Sequence, residues 1–332
     1  MDYEIGSATD AHDMLEKIRL FLVANGWTQN GFATETYGHR LHLARGAVCM
    51  NFFSTIESDP ITDRTWTYAT YRMSGIAFSP STGYSASPTG AKAWKNMPGA
   101  LSRGSTGMFT YADNIFACAV ADMTGAVASY HMAADGDNFI CAMEIAAGDF
   151  RWVAFGTLAP YGAIGAAPNG FYLCASLGVG GNGLGPADMR RIFAHNQMNA
   201  YYPNCTVRFA DAWAYGGGSP IGNVIHPITA VGQGYTPYGE SSLYWGYMHG
   251  LLSAMPAGIG GLSPLLPAQI GVEYSAGYRL CIGHFNLARV THMGGFSVGQ
   301  QIVVGGEDFV VLPCNRADAA YPYGIAIRVT GA

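Results

Sequence analysis

Between Trp152 and Ala187 the 332-residue chain carries no charged side chain, and between Ala212 and Val272 it carries only Glu240. Either length would span a bilayer as a helix. Both are cut every few residues by Gly, Pro or Asn, as in Ala159-Pro160-Tyr161-Gly162 and Gly216-Gly217-Gly218-Ser219-Pro220. A spanning helix has to satisfy its own backbone hydrogen bonds, and this punctuation prevents it. The two stretches therefore predict short strands and loops buried against the rest of the fold or a neighbouring subunit, with no membrane insertion.

Charge is sparse elsewhere too, at 12% of residues, while 13% are aromatic and 49% hydrophobic. A disordered chain would show the opposite balance. With 17 Lys+Arg against 22 Asp+Glu there is no basic field to attract phosphates, so no nucleic-acid partner is expected. The first thirty residues lack a basic start and carry acids inside their apolar stretch, unlike a signal peptide. Cys49, Cys118, Cys141, Cys174, Cys205, Cys281 and Cys314 are odd in number and form no CxxC pair. Buried free thiols from a reducing cytoplasm are the expectation.

The fold class expected is mainly β within α+β: an N-terminal amphipathic helix, sandwich-like sheets and one further helix. Thr9 or Asp10 can cap the first helix, and Gly26 can end it. Its apolar positions Met14, Leu15, Ile18, Phe21 and Leu22 recur at helical spacing. That stripe must be covered, which predicts a docking element over residues 1–30. Strand-like runs follow at Val48–Phe53, Trp66–Met73, Ile115–Val120, Phe139–Ile145, Trp152–Leu158 and Phe171–Ser176. Others lie at Val207–Ala210, Tyr278–Phe285, Gln301–Val304, Phe309–Leu312 and Ile325–Val329, and a second helix is expected at Pro186–Gln197. This divides the chain into the docking segment, a β-rich domain over 31–200 and a β-rich region over 201–332 packed on it.

Candidate chemistry is weak throughout. Gly178-Val179-Gly180-Gly181-Asn182-Gly183 is formally GxGxxG, but strands and helices do not alternate around it as a dinucleotide fold requires. It reads as a connector. His39 and His42 fall on a segment that alternates as a strand, which sends them to opposite faces and away from a shared metal. Asp135-Gly136-Asp137-Asn138 reads as a turn, since no following Glu completes a calcium loop. Glu144 and Asp149 are the pair that a carbohydrate-active enzyme could use, if their carboxyls flank one bond. Without a stronger constellation the chain reads as non-enzymatic, with no cofactor and no metal site. The aromatic residues Tyr235, Tyr238, Tyr244, Trp245 and Tyr247 suit a recognition surface or a subunit contact.

The opening Tyr3-Glu4-Ile5-Gly6, Ala8-Thr9-Asp10, Asp13, Leu15, Lys17-Ile18, Phe21-Leu22 and Gly26-Trp27-Thr28 resembles the start of a family of tailed-bacteriophage virion structural proteins. Further likeness follows in order along the chain. It takes in Arg151-Trp152 with Phe155-Gly156, Leu265-Leu266-Pro267, the run from Gly305 to Pro313, and the run from Tyr323 to Val329. The resemblance implies a part of the tail-tip, baseplate or fibre apparatus, assembled in the host cytoplasm and carried in the virion. It implies tail proteins and further copies of itself as partners, a trimer by analogy with tail appendages, and a host-surface glycan as a receptor. A capsid decoration protein is the neighbouring alternative. The uncharged region from Ala212 to Val272 is then expected at subunit contacts, because an exposed patch of that size promotes aggregation.

Overall fold

A computed structural model of the chain describes residues 1–35, 38–56, 74–81, 83–84, 118–121, 123–160, 171–175, 177–178, 205–209, 212–215, 224–225, 264–273, 279–314 and 323–330. These form three antiparallel sheets and one α-helix, so the mainly-β expectation holds. The helix expected at 186–197, the strand expected at Trp66–Met73 and the aromatic residues from Tyr235 to Tyr247 lie outside the described residues.

The middle sheet has the order β1 (Asp2–Ala8), β7 (Val127–Asp135), β8 (Asn138–Ala146), β9 (Asp149–Thr157), β11 (Phe171–Ala175), β13 (Cys205–Phe209) and β14 (Ala212–Tyr215). Along β8, Phe139, Cys141 and Met143 enter one core while Ile140 and Ala142 enter another. Burial on both faces explains why Phe139–Ile145 and Trp152–Leu158 are almost continuously apolar instead of alternating.

On one side lies a sheet ordered β12 (Leu177–Gly178), β6 (Cys118–Ala121), β5 (Gly75–Ser81), β4 (Val48–Thr55), β3 (Gly38–Arg45) and β2 (Thr28–Glu35), with α1 (Ala11–Ala24) packed against strands of both layers. Phe155 of the middle sheet is the hub of this core. Its ring lies 5.0 Å from Phe139, 5.6 Å from Trp27 and 5.9 Å from Phe52. On the other side lies a sheet ordered β15 (Val224–Ile225), β16 (Leu266–Glu273), β17 (Arg279–His292), β20 (Tyr323–Arg328), β19 (Glu307–Pro313) and β18 (Gln300–Val304), with β10 (Ala159–Pro160) paired to β17. Trp152, Tyr172, Phe285, Leu312 and Ile325 fill the core between it and the middle sheet.

The first helix is bounded as its residues dictate. The Asp10 carboxylate accepts from the backbone N–H of His12 (2.8 Å) and Asp13 (2.9 Å), meeting two of the donors a helix start leaves open. At the other end Gly26 takes a φ of +80°, while Gly26 N donates to Val23 O and Trp27 N to Leu22 O. This is a Schellman closure, and it needs a residue at ease with positive φ. It also swings Trp27 into the core against Phe155, which accounts for the Gly26-Trp27 pair.

Two expectations change. Met14, Leu15, Ile18, Phe21 and Leu22 are all buried inside the chain's own core, so they dock on its own sheets and are not open to a partner. The boundaries at 30 and 200 also fail to separate units, because β1 pairs with β7 and β11 pairs with β13 within one sheet. Of the uncharged region 212–272, β14, β15 and β16 are used inside the chain's own sheets and the remainder lies mostly outside the described residues.

Candidate functional site

Three places on the molecule bring side chains together as a site would: two polar clusters containing histidine, and one uncharged strand edge. The first cluster sits where α1 meets β3 and β4. His12 Nδ1 lies 2.8 Å from Ser54 Oγ, and the His12 ring stacks on His39 with centroids 3.9 Å apart. A hydroxyl beside an imidazole is the spacing of an activated nucleophile. Ser54, however, is fully buried, so no substrate carbonyl reaches its oxygen. The contact fixes the helix start to the sheet beneath it.

The second cluster occupies one end of the middle sheet, on the face toward β17. The Tyr3 oxygen and His131 Nδ1 are 2.6 Å apart, and next to them Ser129 donates to Glu144 at 2.8 Å. Glu144 also accepts from the backbone N–H of Gly148 at 2.9 Å. Burial pushes the Tyr3 phenol up to about 12, and burial holds His131 below its ordinary value, with the charge of Glu144 opposing. Ser129 donates to a carboxylate and not to an imidazole, so the pair is not the serine–histidine arrangement of an activated nucleophile. The arrangement ties β1 to β7 and closes the β8–β9 turn.

Sequence-level candidates resolve similarly. Glu144 is registered opposite Phe150, which enters the core toward β17, while Asp149 is its chain neighbour on the other face and pairs with Arg151. A register shift between Glu144 and Ala146 separates them, so these two carboxylates do not flank one glycosidic bond. His39 and His42 point to opposite faces, as expected, and His42 Nδ1 lies 2.6 Å from Asn51 Oδ1. Asp135 and Asn138 close a two-residue hairpin turn; Asp135 then pairs with Arg328 at 2.6 Å, joining the middle sheet to β20. Gly178 ends β12, a strand antiparallel to β6, and the rest of the glycine motif lies outside the described residues. A dinucleotide fold would place that loop after a parallel strand. Among the described residues no three His, Cys, Asp or Glu side chains are grouped to hold a metal. Cys141 and Cys314 are buried as thiols, outside any disulfide, and Cys49 is a partly buried one.

Neither known families nor curated proteins match the chain.

What the described surface does offer is the hairpin β18–β19. Val298, Val303 and Val304 are exposed by 49%, 69% and 46%. Behind them Ile302 packs with Leu265, Met293 and Phe296 over Phe309, Val311 and Ala326, on the face turned away from the middle sheet. The sequence shows this run as a strand. It does not show that the strand ends a sheet, which depends on pairings between β17, β19 and β20.

The histidines make a pH prediction. Burial holds His42, His131, His284 and His292 below the ordinary 6.5. A histidine depressed in the fold binds its proton more readily in the unfolded chain, so stability is full above 6.5 and falls as the pH drops through that value. Thermal melts should be flat from pH 8 to 7 and move down by several degrees toward pH 5 (roughly 2–4 °C per kcal/mol for a chain of this size). His131→Asn should reduce that slope. A melting temperature that rises on acidification would contradict the assignment.

Proposed function

We propose that this protein is a structural, non-enzymatic component of a bacteriophage tail, in the tail-tip, baseplate or fibre apparatus. It assembles there with other tail proteins and with copies of itself, and its aromatic region from Tyr235 to Tyr247 presents a surface to a host receptor such as a glycan. The observation that carries this reading is the ordered resemblance along the chain, strongest over Tyr3 to Thr28. Those residues make one continuous unit: β1, the Asp10 cap, the buried stripe, and the Gly26 closure that seats Trp27. The layered antiparallel scaffold, with polar clusters that bind strands together and an uncharged edge, suits a part whose work is assembly.

Purified particles of the virus that encodes the chain provide the test. Peptide mass spectrometry should find the protein at fixed copy number per virion, and immunogold labelling should decorate the tail end. Labelling over the head would replace the tail with a capsid decoration role. Absence from purified particles would overturn both.

A further inference from the structure

The geometry points to the edge of β18 as a self-association site, at which a second copy of this chain adds its own β18 antiparallel about a two-fold axis through Ile302. This goes beyond the proposed function and stands or falls separately from it.

The backbone comes first. Among the described residues β18 is last in its sheet and pairs only with β19. Gly305 and Gly306, at φ +63° and +87°, form the two-residue turn between them, with Val304 opposite Glu307. In a hairpin closed this way the facing pairs alternate between bonded and non-bonded. Val304 and Ile302 therefore turn their N–H and C=O groups toward β19, and Gln301 and Val303 turn theirs outward. Those four outward groups are what an added strand would meet.

Strand edges of this kind are normally blunted by charge, proline or a bulge. The edge strand β1 carries Asp2 and Glu4, and the edge strand β2 carries Glu35 and a register shift between Gln29 and Gly31. Within Gln300–Val304 β18 has none of these devices; an irregularity lies just before it, where Gly299, at φ +76°, donates its N–H to Val311 O. Ser297 to Gly306 contains no charged residue and no proline, and its register with β19 is unbroken. Its exposed side chains are the neutral Gln300, Gln301, Val303 and Val304.

The occupant that fits is the strand itself. A two-fold axis at Ile302 sets Gln301 of one copy against Val303 of the other, twice over, and makes four backbone hydrogen bonds. Ile302 then meets its symmetry mate at a non-bonded position, where Cα atoms lie about 4.5 Å apart and side chains touch. No like charges are brought together, whereas β1 paired with itself would oppose acids. The apolar cluster of Ile302, Phe296 and Met293 becomes continuous across the axis. A five-residue edge gives less area than a standard interface of about 1,600 Å², so the association is expected to depend on concentration in the micromolar range.

The full chain tests this in two ways. Val303→Lys adds an edge lysine at an exposed site, opposite Asp308 on β19, so the fold keeps a favourable cross-strand pair. Sedimentation at about 50 μM should show its mass about twofold below that of the parent, with the melting temperature unchanged. Ile302→Cys should give a disulfide-linked dimer under mild oxidation, because facing non-bonded residues meet the distance a disulfide needs. Val304→Cys should give no more than the parent with its native thiols. A monomeric parent, a Val303→Lys chain of parental mass, or an Ile302→Cys chain that cross-links no more than the parent would overturn the proposal. If Val303→Lys fails to fold, the cross-linking pair decides alone.

Discussion

Leu15→Asp, alone or with Phe21→Asp, is expected to leave no folded protein. Leu15 has no exposed surface and lies in the core shared by α1, β4 and the middle sheet. Removing the leucine forfeits about 2–3 kcal/mol of burial. Placing an unpaired carboxylate there costs several kcal/mol more, since Leu15 lies in a cluster of buried apolar side chains. Single domains have about 5–15 kcal/mol in all, so the sum takes most or all of it. Far-ultraviolet circular dichroism and soluble yield provide the readout. Leu15→Met should stay within about 1.5 kcal/mol of the parent, because volume and polarity are kept. A Leu15→Asp chain that melts near the parent temperature would mean that the stripe faces outward, as a docking surface for a partner would.

That contrast marks where the sequence is informative and where it stops. Helical spacing at Met14, Leu15, Ile18, Phe21 and Leu22 states that a face must be covered, but not by what. The cover includes strands β1, β3, β4, β5 and β7, and Phe139 of β8 against Phe21, all but β1 later in the chain. Local chemistry was legible because it is local: the Asp10 cap, the Gly26 closure and the turn at Gly136 each need only neighbours. The apolar runs of β8 and β9 were legible because burial on both faces leaves no polar position to blur them. β1 was not, since Asp2-Tyr3-Glu4-Ile5-Gly6 has acids and glycine and becomes a strand only by pairing with Ala134 to Tyr130. Glu144 and Asp149 looked like one pair until the register shift between them put each on its own face. The edge at β18 follows the same rule. Gln301–Val304 reads as a strand from its residues, while its exposure is a property of sheet order.

Trp152→Ala is the second substitution expected to have a large effect, and it acts on the other core. Trp152 is fully buried between the middle sheet and the β16–β20 sheet, and its indole N–H donates to the Pro313 carbonyl at 3.1 Å. Arg151 beside it points to the opposite face, where it pairs with Asp149. Losing a buried tryptophan costs about 3–5 kcal/mol, and an unmet buried carbonyl about 1–3 more. Trp152→Phe keeps most of the apolar volume and loses the hydrogen bond, so it should fall between the two, about 1–3 kcal/mol below the parent. The order parent, Phe, Ala should appear in denaturant midpoints. Hydrogen exchange should show where the loss lands, with β17, β19 and β20 losing protection before β3 and β4, because Trp152 reaches only the first group. Equal midpoints for Trp152→Phe and the parent would remove the hydrogen bond from this account. A Trp152→Ala chain as stable as the parent would mean that the two sheets do not share a core. The consequence for assembly is direct: β18 takes its ladder from β19, and β19 ends at Pro313, the residue Trp152 holds. Loosening that contact should weaken pairing at the edge as well as the fold behind it.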